Sequence, residues 1–223
     1  MIERYFAVDM PAWRFLLNTL AVSCLALLPL LLLYVWLTPG FGSLLLDNGL
    51  AMGRFLRQVV TNGFLVVFTI NYLGFFLYAA LIARYGRIRA SARILLIDPP
   101  SRVVVFVFLH ALIYFFSADW FGSFGGDHWL ALRVVGPTLA RSALFANLSG
   151  VYFYATLGSA FPVYRAAIGR LIARNAHRGT WFAPLVNALP RPWAPIVLAL
   201  ALFAVSALLL TGVAAAITYL QAL

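Results

Sequence analysis

The sequence reads FGSLLLDNGLA at residues 41–51 and returns to the same loop as FGSFGGDHWLA at residues 121–131. Six of the eleven letters recur at the same places. Each copy lies between two long apolar segments, and about 20 apolar residues suffice for a helix to cross a bilayer. The pattern predicts two tandem helix–loop–helix units, 14–93 and 102–178, and a closing helix, 194–223, within a single membrane domain.

The composition also indicates a membrane protein. Of the 223 residues, 64% are hydrophobic and only 10% are charged, whereas a soluble domain carries about 25% charged residues. We predict an all-α integral membrane protein with five transmembrane helices, at about 15–37, 55–83, 103–118, 142–164 and 196–220. The stretch Asp98-Pro99-Pro100 is expected to break the helix between the second and third spans, which leaves every span free of acidic residues.

The arginines predict an orientation. All sixteen basic residues are Arg; two flank the N-terminal head, five lie in 84–102, five in 165–191, and the two repeated loops hold four. By the positive-inside rule, the N-terminus is cytoplasmic and the C-terminus is outside. We expect a multi-pass protein of the cytoplasmic (inner) membrane of a bacterium. Its arginines border apolar spans and do not interleave with aromatic residues, so nucleic acid is not an expected partner.

Two interpretations of the repeat stay open. Parallel repeats occur in transporters, with the site between the halves, but short membrane-surface turns also converge on Phe, Gly and Ser. In the loops, Asp47 and Asp127 are placed to cap helices that begin at residues 48 and 128. Alternatively, the two carboxylates pair at an outer mouth, beside His128, and attract cations.

Polar residues inside the spans are the main site candidates. An unsatisfied amide in hydrocarbon is costly, so such residues must face protein or water. Candidates for a polar path near the second and fourth spans are Asn71, Tyr78, Asn147 and Thr156.

A basic stretch follows the fourth span. Arg170, Arg174 and Arg178 recur every four residues, which predicts one shared helix face. Guanidinium groups there would bind lipid head groups or a partner protein.

No cofactor is expected. His110 lies inside a span, but a haem held by two histidines would need a second one; we expect His110 to hydrogen-bond to a neighbouring helix. The single cysteine, Cys24, excludes an internal disulfide. Neither metal-ligand spacing nor a catalytic motif is present in the sequence, so an enzyme is not expected.

Two classes of function lead, and a membrane enzyme with its chemistry on the outer-loop residues Asp47, Asp119, Asp127 and His128 is third. The first is a passive channel- or transporter-like module, alone or as a homo-oligomer. The second is a non-catalytic accessory or scaffold subunit of a larger membrane complex, which binds partner proteins, lipids or a pigment. A water-accessible cavity that reaches Asn71 or Thr156 would favour the channel, whereas amides sealed between helices would favour the scaffold.

Overall fold

The computed structural model describes residues 2–190 and 192–222, and within these ranges it is helical and contains no strand. This confirms the predicted all-α class. Arg191, one of the five arginines counted in 165–191, and the last residue of the predicted closing helix, Leu223, lie outside the described residues.

The described chain forms nine α-helices. They are α1 (Ala12–Leu37), α2 (Phe41–Asp47), α3 (Gly49–Gln58), α4 (Leu65–Trp120), α5 (His128–Arg133), α6 (Val135–Ala143), α7 (Leu148–Ala173), α8 (Ala183–Ala188) and α9 (Trp193–Leu220). A π-helical segment, Val59–Phe64, joins α3 to α4, and a 3₁₀ turn, Ser123–Gly126, precedes α5.

Three helical stretches in the described ranges are long and apolar enough to cross a membrane. They are Ala12–Leu37, Gly49–Trp120 and Ala194–Leu220. The sequence predicted five spans, so the prediction of membrane-spanning helices is confirmed, but the number five is not shown.

Helix α4 folds back on itself at Gly86. This residue has φ 70° and ψ 166°, a conformation that is essentially restricted to glycine. Asn71 and Arg102 lie 15 residues before and 16 residues after it, yet their side chains are joined by a hydrogen bond of 2.9 Å. Helix α4 is therefore a hairpin of two antiparallel arms, 65–85 and 87–120.

The predicted helix break at Asp98-Pro99-Pro100 is wrong. Both prolines lie inside the second arm of α4. A helix tolerates proline where surrounding helices and side chains compensate for the lost backbone bond. Here Asp98, Pro99 and Arg102 are all buried against the neighbouring helices, and that packing holds the helix through the two prolines.

Helix α7 is the central helix of the bundle and packs against α1, α4, α6 and α9. Its small residues permit this: a Cβ on Gly150 would lie 2.8 Å from the carbonyl oxygen of Ser142 in α6. By contrast, α1 and α9 form outer walls and leave large apolar side chains exposed, among them Leu32 and Leu208.

The two copies of the repeated loop have different local structures. The first copy begins with Phe41–Asp47, which forms α2. In the second copy, Gly122, Phe124 and Gly125 adopt positive φ values around the 3₁₀ turn. Common descent of the two units remains a prediction.

Candidate functional site

A buried polar network occupies the middle of the bundle. It connects α1, both arms of α4 and α7. Its members are Ser23, Asn71, Asp98, Arg102, Thr156, Ser159 and Tyr164, and all of them are buried.

An ion pair forms the charged part of this network. Arg102 Nε donates to Asp98 Oδ2 at 2.7 Å, and each side chain is 2% exposed. The two residues are one helical turn apart on the second arm of α4, a spacing that brings side chains together. The hydroxyl of Tyr164 in α7 donates to the same carboxylate oxygen at 2.6 Å. Short, charge-assisted bonds of this kind are about twice as strong as neutral ones.

Asn71 connects the ion pair to three helices. Its Oδ1 accepts from Arg102 Nη1 at 2.9 Å and from the Ser159 hydroxyl of α7. Its Nδ2 donates to Ser23 Oγ of α1 at 2.9 Å. Every polar atom of this amide side chain therefore has a partner in the protein.

Thr156 contributes its backbone and not its hydroxyl. Its carbonyl oxygen accepts from Arg102 Nη1 at 2.8 Å. It also lies 2.7 Å from Ser159 Oγ, whose one proton is shared between this carbonyl oxygen and Asn71 Oδ1. The Thr156 hydroxyl donates to the backbone carbonyl oxygen of Phe153, in the preceding turn of its own helix, at 2.7 Å. Arg102 thus holds the second arm of α4 to α7 as well as to the first arm.

Gly74 makes room for the ion pair. A Cβ at this position would overlap the Arg102 guanidinium and lie 2.8 Å from Asp98 Oδ1. Asp98 Oδ1 itself is buried and has no hydrogen-bond partner among the described residues. A glycine at this position lets the first arm of α4 lie close to the carboxylate.

The four predicted path residues occupy three separate places. Asn71 and Thr156 belong to the network. Tyr78 is buried elsewhere, and its hydroxyl accepts from Arg170 Nη2 at 2.8 Å. Asn147 caps α7 by accepting from the Gly150 amide at 2.8 Å. These four residues therefore do not line one continuous path.

The sequence predicted spans without acidic residues, but Asp98 lies inside the long apolar helical stretch Gly49–Trp120. Asp98 was assigned to a loop because two prolines follow it, but it is 1% exposed and lies between α4 and α7. A signal for this was present in the sequence: Asp98 and Arg102 have the spacing of a helical ion pair. Neither residue was among the predicted site residues.

The predicted face of three arginines does not form. Helix α7 ends at Ala173, so only Arg170 lies in the helix, while Arg174 and Arg178 are exposed in the turns beyond it. Arg170 is part of a smaller cluster, since it pairs with Glu3 at 3.2 Å and donates to Ser91 Oγ at 2.9 Å. This cluster ties the N-terminal segment to α7 and α4.

The loop carboxylates have different roles. Asp127 caps α5 by accepting from the Leu130 amide at 3.0 Å, as predicted. The predicted cap at Asp47 is wrong: this residue ends α2, and Asn48 accepts from the amides at the start of α3. Asn48 occupies the N-cap position directly before α3, so its side-chain oxygen reaches the free amides of the first turn.

His128 bonds to the preceding helix, α4, whereas His110 bonds within its own helix. His128 bridges Phe115 O and Asp119 Oδ1, each at 3.0 Å. His110 pairs through Nδ1 with Phe106 O of its own helix at 3.0 Å, so the predicted bond to a neighbouring helix is wrong. The described residues contain no group of three or more side chains placed to hold a metal ion.

The chain matches no protein-family model, no curated protein and no solved structure. The buried network is therefore the feature from which a function is inferred. Two opposite charges lie in contact, and apart from Asp98 Oδ1 the hydrogen-bonding atoms described above have protein partners. Such an arrangement holds helices in fixed positions.

Proposed function

We propose that this chain is a non-catalytic accessory or scaffold subunit of a larger complex in the cytoplasmic membrane of a bacterium. The observation that supports this is the sealing of the network. Asn71 and Thr156 have no exposed surface, and their polar groups are bound to other helices or to their own. A conducting path needs polar groups that exchange partners with water or a solute.

In this proposal the chain crosses the membrane five times, with its N-terminus in the cytoplasm. The hairpin of α4 supplies two crossings in place of one. Helix α7 has 26 residues, which at 1.5 Å per residue gives about 39 Å, enough for a hydrocarbon core of about 30 Å. Because α7 is surrounded by other helices, few of its side chains contact lipid, and it can be less apolar than α1 or α9.

The turn of the hairpin supports the orientation. Arg84, Arg87, Arg89 and Arg93 lie on either side of Gly86, where the positive-inside rule places a cytoplasmic loop. Arg102 was counted with them, but it belongs to the buried network and does not contribute to this loop. Removing it from the count leaves the excess of arginine on the same side.

The outer walls supply the docking surfaces of the proposed scaffold. Leu32 on α1 is 72% exposed and Leu208 on α9 is 73% exposed. In a bilayer these side chains contact lipid tails or the helices of another membrane protein. We propose partner membrane proteins as the specific ligands, with membrane lipids around them.

A photo-crosslinking experiment tests this. We would place a benzophenone amino acid at Leu32, and in a second variant at Leu208, in the full chain in cells. Leu31 is the matched control because it is adjacent to Leu32 and only 7% exposed. We expect one discrete crosslinked product at Leu32 that contains a second polypeptide, and none at Leu31. Crosslinks to lipid alone at Leu32 and at Leu208 would overturn the proposal.

A channel-like module is the second candidate, and one observation favours it. A half-open pocket of about 250 Å³ lies between α3, α4 and α7, and polar side chains line much of it. Proteoliposomes distinguish the candidates: solute entry that exceeds that of empty liposomes and scales with protein would replace the scaffold by the channel. If flux occurs, Asp47→Asn and Asp127→Asn would show whether the loop carboxylates attract the permeant ion, because unchanged flux removes that role.

A further inference from the structure

The pocket between α3, α4 and α7 is distinct from the buried network. Its walls are formed by the π-helical segment Val59–Phe64, the second arm of α4 and the first turns of α7. The 3₁₀ turn Ser123–Gly126 lies at its edge. The polar groups used below come from Gln58, Asn62, His110 and Ser149.

The π-helical segment shapes one wall of this pocket. Segments of this kind are rare and are frequently found at functional sites. Within it, a Cβ on Gly63 would overlap the ring of Tyr152, so the glycine lets the tyrosine pack directly against the segment. The Tyr152 hydroxyl is buried and has no hydrogen-bond partner among the described residues. The ring of Tyr152 therefore forms part of the pocket wall, while its hydroxyl is closed off from the pocket.

His110 supplies an acceptor. Its Nδ1 contacts the Phe106 carbonyl oxygen at 3.0 Å, and because a carbonyl oxygen only accepts, Nδ1 carries the proton. The neutral ring then has a lone pair on Nε2. His110 lines the pocket, and no hydrogen bond joins Nε2 to another described residue.

The amides supply donors. The Thr61 hydroxyl donates its one proton to the Arg57 carbonyl oxygen at 2.8 Å and lies 3.2 Å from Asn62 Oδ1. The NH₂ group of Asn62 makes no hydrogen bond to another described residue and can donate to a ligand. Gln58 adds a second amide, and Ser149 adds a hydroxyl that both donates and accepts. Of the described residues that line the pocket, none is an Asp, Glu or Arg.

We propose that this pocket binds a small uncharged polyol. An uncharged lining in a low-dielectric setting disfavours an ionic ligand. Hydroxyl groups donate and accept at once, so they satisfy His110 Nε2 and the amide donors together. A volume of about 250 Å³ is on the order of eight waters, which suits a polyol of three or four carbons. This site goes beyond the scaffold function and does not depend on it.

Saturation-transfer NMR on the full chain tests the proposal. The protein would be held in lauryldimethylamine oxide micelles, because sugar-headed detergents would compete for the pocket. The probes are glycerol and erythritol, with succinate and ethanolammonium as charged controls. We expect saturation of both polyols and at most background saturation of the two ions.

Three variants complete the test. Asn62→Leu and His110→Phe remove a donor and the acceptor, and each is expected to lower the polyol signal at least fivefold. Thr211→Val is the matched control, because this exposed threonine lies on α9, away from the pocket, and bonds only to its own helix. If one pocket variant fails to fold, the other still decides the outcome. The proposal is overturned if neither polyol is saturated, if the folded pocket variants keep the full signal, or if the ions are saturated as strongly.

Discussion

Arg102→Met tests whether the buried network holds the bundle together. The substitution keeps an unbranched apolar stem and removes the guanidinium, which makes three hydrogen bonds of 2.7–2.9 Å to Asp98, Asn71 and Thr156. It leaves the Asp98 carboxylate buried at the contact between α4 and α7 without its counter-charge.

The structure sets the magnitude. Removing one partner of a buried ion pair destabilises a protein by about 3–5 kcal/mol. The Ser159 hydroxyl remains within hydrogen-bond distance of Asn71 Oδ1 and of the Thr156 carbonyl oxygen and can donate its one proton to either. The Tyr164 hydroxyl still donates to Asp98. We therefore expect the lower end of the range, a loss of about 3 kcal/mol in the free energy of unfolding.

A double-mutant cycle separates the charge pair from the rest. Asp98→Asn alone leaves Arg102 as an uncompensated buried cation, whereas the double variant with Arg102→Met carries neither charge. Since contacting residues couple by about 0.5–3 kcal/mol, the double variant is expected to lose less stability than the sum of the single variants, by an amount near the top of that range.

The assay is equilibrium unfolding in mixed micelles of a mild detergent and dodecyl sulfate, followed by tryptophan fluorescence and circular dichroism. Arg174→Met is the control, because this arginine is exposed beyond the end of α7 and its loss should leave stability unchanged. A stable Arg102→Met protein, or additive effects in the cycle, would refute the assignment of the network as the element that holds the helices.

Five further substitutions, two of which are controls, probe local geometry. Gly74→Ala inserts a methyl group into the ion pair and should lower the free energy of unfolding, measured in the same assay, by about 1–3 kcal/mol. Its control, Gly158→Ala, places a methyl group in open space on α7 and should be neutral or slightly stabilising. Equal effects of the two substitutions would contradict the close approach at Gly74. Gly86→Ala places a side chain at φ 70° and should cost about 1–3 kcal/mol, measured likewise, and a neutral result would mean that the turn is not strained for alanine. Asp127→Ala should speed amide hydrogen exchange at the start of α5, whereas Asp47→Ala should leave the start of α3 unchanged; the reverse order would contradict the assigned caps.

Much of the fold follows from local sequence signals. Long apolar runs predicted helices in a membrane, and α1 (Ala12–Leu37) and α9 (Trp193–Leu220) lie close to the predicted first and fifth spans. The cap at Asp127 also follows from local chemistry. These features depend on residues close in the sequence, so periodicity and side-chain type suffice to predict them.

The hairpin of α4 shows where this reasoning ends. Two successive prolines normally interrupt a helix, and Asp98-Pro99-Pro100 was interpreted in that way, whereas the chain turns at Gly86. Whether the second arm stays helical depends on the network residues Ser23 on α1, Asn71 on the first arm of α4 and Tyr164 on α7. These lie 27–75 residues away from Asp98 along the chain. Those contacts keep the second arm helical, and local propensity contains no information about them.

The candidate site was predicted in part for the same reason. Asn71 and Thr156 stood out because a polar group in an apolar span needs a partner. Which partner it finds depends on helix packing: Asn71 meets an arginine that was assigned to a loop, and Thr156 takes part through its carbonyl oxygen. Only the three-dimensional arrangement shows that the network is closed.

An ion pair in so apolar a chain calls for a reason beyond stability, since replacing such a pair with apolar groups is often neutral. We propose that it fixes the register of the hairpin, because two apolar arms pack almost equally well when displaced by one turn of about 5.4 Å. Spin labels at Leu73 and Val104, which are exposed on opposite arms, would measure this by pulsed electron resonance in a Cys24→Ser background. The Asp98→Asn, Arg102→Met double variant should give a broader or split distance distribution than the parent, even where it remains folded. One narrow distribution at the parent distance would show that apolar packing alone sets the register.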